Sequence, residues 1–288
     1  RQCKDPGHLF YLPRRSEAAK VSGHHWMKTL DGPLLSINDV PADFAYNPDQ
    51  AMKGILEYVE AELVSSDYIG SHFSSSFDAT LTQLIGDAIE IVSAAGYDGK
   101  RFHLVGHDWG GQVSWGVASQ HPKRLASLTI LSRPHPSSFR RALQKEDGDQ
   151  KHRSRHHRAF LDAGTGQLLL ADNARRLREG LFGQGVPSEA LEQHLSVLGN
   201  PEALEAALAW YRSNKGLAAD IGTIAVPTLY IWGDADATVG PDAAYGTAEF
   251  VAPSFAMEVL PNVGHFVMDQ APAKATDLLL AYLKKHPV

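Results

Sequence analysis

The 288 residues, 43% of them hydrophobic, are enough for one large domain with an insertion and for a sizeable core. Net charge is -6, from 27 Lys+Arg against 33 Asp+Glu, which leaves no electrostatic footprint for nucleic acid. One cysteine, Cys3, excludes an internal disulfide framework and fits a reducing, cytoplasmic compartment, and no run of the roughly 18 apolar residues needed to span a membrane is present. Because the chain opens at Arg1 rather than Met, an upstream segment lost in processing, a signal peptide included, remains compatible with it.

The first 80 residues carry the weakest pattern. Leu9 to Leu12 and Leu34 to Ile37 read as short strands, neither of them the long Val/Ile/Leu run of a central parallel strand. Met52, Ile55, Leu56, Val59 and Leu63 recur at helical spacing over 49–64, just after Asn47-Pro48. Ser71 to Ser76 reads as loop. A clearer helix covers 81–95, with Leu81, Leu84, Ile85, Ala88 and Val92 on one face and its end near Gly96.

Phe102 to Val105 is a short apolar run of buried-strand type, and Gln112 to Gln120 continues as a helix that stops at His121-Pro122. Between them stands Gly106-His107-Asp108-Trp109-Gly110-Gly111. A strand, a very tight turn and a helix make a nucleophile elbow, whose tip residue is held in a strained backbone and pushed out above the sheet. The usual tip residue is Ser; here it is Asp108. A carboxylate is already anionic at neutral pH and can displace a leaving group from saturated carbon, giving an alkyl ester that water must then cleave with the help of a base.

Leu125 to Leu131 reads as a second buried strand, and Arg133-Pro134-His135-Pro136 breaks the pattern. From there to Ile224 only helices are expected, with starts at Pro187-Ser188-Glu189 and Asn200-Pro201-Glu202, each with a capping side chain and an early acid. Strands resume at 226–232 and 256–260, and a helix over 273–285 closes the chain. This alternation on both sides of a helical block predicts an α/β fold with a mostly parallel central sheet and an all-helical insertion. Gly233-Asp234-Ala235-Asp236 and Gly264-His265 each follow a predicted strand, where open α/β sheets place functional side chains. The order Asp108, Asp236, His265 gives nucleophile, orienting acid and base; Asp234, the rival acid, reads as a turn cap.

Residues 100–288 resemble the α/β-hydrolase superfamily, in its epoxide hydrolase and haloalkane dehalogenase branch. The resemblance rests on Phe-His-Leu-Val-Gly-His-Asp-Trp-Gly-Gly (102–111), Trp-Gly-Asp-Ala-Asp (232–236) and Val-Gly-His-Phe (263–266). It implies an α/β-hydrolase core over 1–134 and 226–288, with 1–80 atypical, and a helical cap over 135–225. It also implies a nucleophilic Asp108, a base His265, a relay acid Asp236, and no cofactor. Trp109, His107, Trp210 and Tyr211 are the oxyanion and substrate-binding candidates, and the partner is a small apolar electrophile. The sequence does not fix the oligomeric state; a homodimer is compatible with it.

Epoxide opening creates an alkoxide that needs a donor. In epoxide hydrolases a cap tyrosine serves, one within an Asn-Trp-Tyr-Arg-like motif, and Ala209-Trp210-Tyr211-Arg212 matches with the cap's one tyrosine. Trp109 suits halide stabilisation equally well as epoxide chemistry, so a dehalogenase is the alternative, and a catalytically silent ligand-binding protein is a third. Two departures stand out. The His-Gly-x-Pro loop that lends relatives a second oxyanion donor is missing from 1–80, where Gly23-His24-His25-Trp26 is only a loose counterpart. An early cap tyrosine is missing too, and Lys151 to Arg158 in its place reads as a solvated basic helix face, with a histidine donor as the lesser alternative. His152 and His156 lack a local third ligand, so no metal is expected.

Overall fold

The computed structural model describes residues 80–93, 97–214 and 221–288. The strands expected at 9–12 and 34–37, the helix over 49–64, the loop at 71–76 and the Gly23-Trp26 segment lie outside the described residues.

Helix α1 (Leu81–Val92) buries Leu81, Leu84 and Ile85, as the apolar spacing requires; its expected end, over 94–96, lies outside the described residues. Four strands follow: β1 (Phe102–His107), β2 (Leu125–Leu131), β3 (Thr228–Gly233) and β4 (Phe255–Leu260). They form one sheet in the order β1-β2-β3-β4 with every pairing parallel. Helix α2 (Trp109–Gln120) joins β1 to β2, and helix α11 (Pro272–Leu283) ends the fold. This is the α/β sheet that the alternation predicts, and its helical insertion lies between β2 and β3.

All residues of β2 and β3 are buried, which is why both read as mainly apolar runs rather than as alternating patterns. The alternation persists in which layer each residue faces. Leu128, Ile130, Tyr230 and Trp232 pack with Trp115, Val117 and α1 on one side. Leu131, Leu229 and Ile231 pack with Val267, Ala275 and Tyr282 on the other. Each such fully buried aliphatic side chain contributes on the order of 1.5–3 kcal/mol, so two closed layers hold the strand ends rigidly.

The block between β2 and β3 comprises α3 (Pro136–Gln144), two single turns α4 (Gln150–Arg153) and α5 (His156–Ala159), α6 (Thr165–Gly183), α7 (Ser188–Leu198) and α8 (Pro201–Ser213). Non-helical backbone at Ala171 to Ala174 interrupts α6. The Asn200 side chain caps α8 by accepting from Glu202 N and Ala203 N at 2.8 and 3.2 Å. The expected cap at Ser188 is corrected: Pro187 holds the cap position and no side chain bonds there, leaving the early acid Glu189 as the polar group near that terminus. A separate small core of Leu181, Val186, Leu191 and Leu195 holds α6 to α7. Helices α9 (Pro241–Gly246) and α10 (Val267–Gln270) complete the sheet side.

Candidate active site

The elbow is built by close packing. A Cβ on Gly106 would meet Ser114 Oγ and, at 2.5 Å, the carbonyl of Gly110, so only hydrogen lets β1 and α2 approach this closely. Asp108 sits between them with φ 47° and ψ -115°, a backbone state that L-residues rarely hold. Its N–H donates to Leu131 O at 3.2 Å and its carbonyl accepts from Gln112 N at 2.9 Å, which fixes the turn to β2 and to the start of α2. The side chain is thereby directed out of the sheet into a cavity of about 700 Å³.

Two loops bring the other groups. Directly after β3, Asp236 is 1% exposed, and its Oδ1 accepts from Thr238 N at 2.7 Å, Val239 N at 2.9 Å and Thr238 Oγ1 at 2.8 Å. The loop after β4 crosses Gly233 so closely that a Cβ there would lie 2.6 Å from the carbonyl carbon of Val263. That crossing sets His265 between two carboxylates. Its Nδ1 donates to Asp236 Oδ2 at 2.9 Å and lies 2.7 Å from Thr238 Oγ1, while its Nε2 faces Asp108 Oδ1 at 3.5 Å. Asp234 is exposed, and its carboxylate accepts from Asn262 N at 2.7 Å, holding a turn as expected.

The charges are strongly coupled. Burial alone would lower the His265 pKa, but the charge of Asp236 and hydrogen bonds to both carboxylates outweigh it and raise it to about 10. Burial would raise Asp108, yet its bond to His265 and the charges of His265 and Arg133 hold it well below the ordinary carboxylate range. Asp236 is lowered in the same way, with His265 prevailing over burial. The resting site therefore pairs two anions with an imidazolium and a guanidinium.

Of the remaining candidates, Trp109 is 7% exposed and lies edge-on to Tyr211, with ring centroids 5.1 Å apart. Tyr211 lines the cavity, and burial, with the Asp108 charge, keeps its phenol protonated far above neutral pH. Trp210 is 4% exposed and packs edge-on to Trp109 at 6.0 Å, so most of its surface belongs to the core. His107 Nε2 donates to the backbone carbonyl of His265 at 2.9 Å, and burial lowers its pKa. That bond ties β1 to the histidine loop, while the residue also lines the cavity.

The basic stretch 151–158 divides. Lys151, His152, Arg155 and Arg158 are exposed as predicted, but the chain breaks between α4 and α5 and turns His156 and His157 inward to line the cavity. His157 packs edge-on to Tyr211 at 5.4 Å, and burial lowers its pKa to about 3. A solvated face is thus right for half of the stretch only. Arg133, which in the sequence reads only as part of a strand stop, lies 3.8 Å from Asp108 through Nη1. Its position directly after β2, at a carboxyl strand end, is the signal that could have found it. No group of three or more metal-ligating side chains occurs among the described residues. Among them, too, no helix is long and apolar enough to cross a membrane.

Comparison with known proteins gives this geometry a context. The chain is 27% identical over 213 residues to "Epoxide hydrolase 4" of Mus musculus, covering 70% of this chain and 58% of that protein. It is 26% identical over 276 residues to "AB hydrolase superfamily protein YfhM" of Bacillus subtilis (strain 168), covering 88% and 91%. The chain thus spans little more than half the length of the mouse relative. A solved structure described as "Novel epoxide hydrolases belonging to the alpha/beta hydrolases superfamily in metagenomes from hot environments" superposes with a TM-score of 0.59 at 28% identity, over 71% of this chain and 74% of that one. A putative acyltransferase from Salmonella enterica, at 22% identity and a TM-score of 0.63 over 74% and 75%, shares the fold. Residues 15–96 match a different profile, the C-terminal domain of glyceraldehyde 3-phosphate dehydrogenase. Residues 85–272 match the alpha/beta hydrolase fold profile, and the chain belongs to that family.

Proposed function

We propose that the protein is a cofactor-free hydrolase that opens epoxides to vicinal diols through a covalent ester on Asp108. The observation that carries this reading is a carboxylate, not a hydroxyl, at the elbow tip, with His265 Nε2 at 3.5 Å and Asp236 behind the ring at 2.9 Å. Asp108 attacks a ring carbon, and the C–O bond opens onto an alkoxide that the Tyr211 phenol hydrogen-bonds. That alkoxide takes up, through solvent, the proton that the His265 imidazolium releases, leaving a neutral imidazole. Burial keeps that phenol protonated, as a donor must be. The imidazole of His265 then takes a proton from water attacking the ester, and Asp236 holds its tautomer and stabilises the imidazolium. In this reading α3 to α8 act as a cap, whose apolar side chains Leu177, Leu204 and Leu208 line the cavity and favour an apolar substrate. The likeness to epoxide hydrolases at 27 and 28% identity supports the choice of substrate class.

A second reading, carbon–halogen hydrolysis, draws on the indole N–H of Trp109, which makes no hydrogen bond of ordinary length among the described residues and could face a departing halide. Intact-mass spectrometry of His265→Gln after incubation with styrene oxide or with 1-bromobutane separates the two. An adduct on Asp108 from the epoxide alone supports the leading reading. An adduct from the bromide alone selects the other, and none from either, in a folded protein, favours a ligand-binding role.

A further inference from the structure

Arg133 is placed with unusual care for a residue with no part in the scheme above. Gly111 leaves room for its stem, since a Cβ there would stand 2.8 Å from Arg133 Cβ. The indole N–H of the fully buried Trp115 donates to its carbonyl at 3.1 Å. Its Nε and Nη2 donate to Gln112 Oε1 at 3.1 and 2.9 Å, and the rings of Trp109 and Phe139 flank the guanidinium at 5.5 and 5.1 Å. These contacts leave Nη1 directed at Asp108 Oδ1, 3.8 Å away. The residue is 7% exposed, and Asp108 is its one ion-pair partner among the described residues.

We propose that Arg133 is a catalytic residue of the second half-reaction, its Nη1–H binding the oxyanion that forms on Asp108 when water attacks the covalent ester. This rests on the ester reading given above. A buried guanidinium beside a neutral amide needs an anion. While Asp108 is ionised it has one. Once Asp108 is esterified that charge is gone, and it returns only as the tetrahedral oxyanion develops. The interaction is therefore stronger in the transition state than in the ester, the condition for accelerating the step. An approach of roughly 1 Å brings the 3.8 Å contact to charge-assisted hydrogen-bond length. An elbow hydrolase takes one oxyanion donor from the backbone N–H after the nucleophile, here Trp109, and uses a second beside it. Arg133 Nη1, 3.8 Å from Asp108 Oδ1, stands where it can supply one.

In this step the water oxygen bonds to Asp108 Cγ while His265 Nε2 takes one of its protons. The carbonyl π pair moves onto the oxygen held by Arg133 and the Trp109 N–H. Collapse restores the carbonyl and breaks the C–O bond to the alkyl group, and the leaving alkoxide takes the proton from His265. Asp108, left as the acid, returns its remaining proton to His265.

The test follows the Asp108 adduct in time by rapid quench and intact mass, with styrene oxide and the full chain. Arg133→Met is expected to form the adduct at a rate near that of the unaltered protein and to lose it ~10²–10³-fold more slowly, so that ester accumulates during turnover. Arg133→Lys, which keeps the charge but not the planar fork, should fall between the two and carries the test if the Met variant does not fold. Adduct decay at the unaltered rate in a folded variant overturns the proposal. So does an equal loss in both half-reactions, which would mark Arg133 as structural. Failure of the broader reading looks different: His265→Gln with Arg133 intact then gives no adduct at all.

Discussion

On the proposed ester mechanism, lowering the pH should divide the two half-reactions, because each depends on a different charge. In the resting site His265 lies 2.9 Å from Asp236 and 3.5 Å from Asp108, and its pKa stands at about 10. Ester formation cancels the Asp108 charge and with it two of the influences that raise that pKa, while burial, which lowers it, stays. The pKa in the ester must therefore lie below about 10, and hydrolysis needs the neutral imidazole. Each pH unit below the ester-state pKa then removes about tenfold from the hydrolysis rate. Alkylation needs the Asp108 anion, which His265 and Arg133 protect far into acid, and the Tyr211 phenol, which burial keeps protonated. As the pH falls below the ester-state pKa of His265, alkylation should stay flat while hydrolysis falls, and the steady-state fraction of esterified Asp108 should climb toward one. Rapid quench into acid followed by intact mass reads that fraction directly. An adduct fraction that stays constant while turnover drops would refute the reasoning, since it would mean that the acid limb belongs to alkylation.

Tyr211→Phe should slow adduct formation by ~10²-fold with little change in adduct decay, measured in the same quench experiment. Gly106→Ala should cost about 1–3 kcal/mol in urea unfolding, because the added methyl meets the Gly110 carbonyl at 2.5 Å, and should abolish activity by opening the elbow. Gly86→Ala, in α1 with nothing within 4 Å of the new methyl, should instead stabilise by about 0.5–1 kcal/mol in the same assay. The stability owed to His265 is complete below 6.5, the ordinary histidine value that the unfolded chain takes, and is lost as pH rises to about 10, because the folded state holds the proton more tightly. The stability owed to Asp236 has the opposite sign, being present above 3.8 and lost in acid. The melting temperature should therefore decline from about pH 6.5 to 10 more steeply than in His265→Gln.

The sheet and the elbow were legible because each depends on local signals. β2 and β3 are buried on both faces, so their residues are apolar almost throughout, and Gly106 and Gly111 stand where backbone or stem atoms leave no room for a Cβ. Asp236 and His265 could be found because strand ends are where α/β folds deliver side chains. What escaped was set by tertiary packing. The inward turn of His156 and His157 depends on the break at Ser154 and on contact with Tyr211, neither of which a helical period encodes. Arg133 looks like part of a Pro-rich strand stop, because its meaning comes from Gln112 and Asp108, 21 and 25 positions away in the chain. Ser188 reads as a cap from residue type, whereas Pro187 at the preceding position takes that place.

The arrangement around Asp108 sets two demands against each other. A guanidinium and an imidazolium beside a carboxylate stabilise its anion, and stabilising an anion lowers its nucleophilicity. If alkylation alone mattered, Arg133 at 3.8 Å would be a handicap. It becomes an asset only if the slow step is cleavage of a stable ester, where the same cation meets new negative charge on the same carboxyl group. The two cations also differ in a way that suits their places. His265 can shed its proton once Asp108 is neutralised and so become a base, whereas Arg133 stays charged throughout. A site with one switchable and one permanent cation can therefore accept an electrophile in one charge state and expel the product in another.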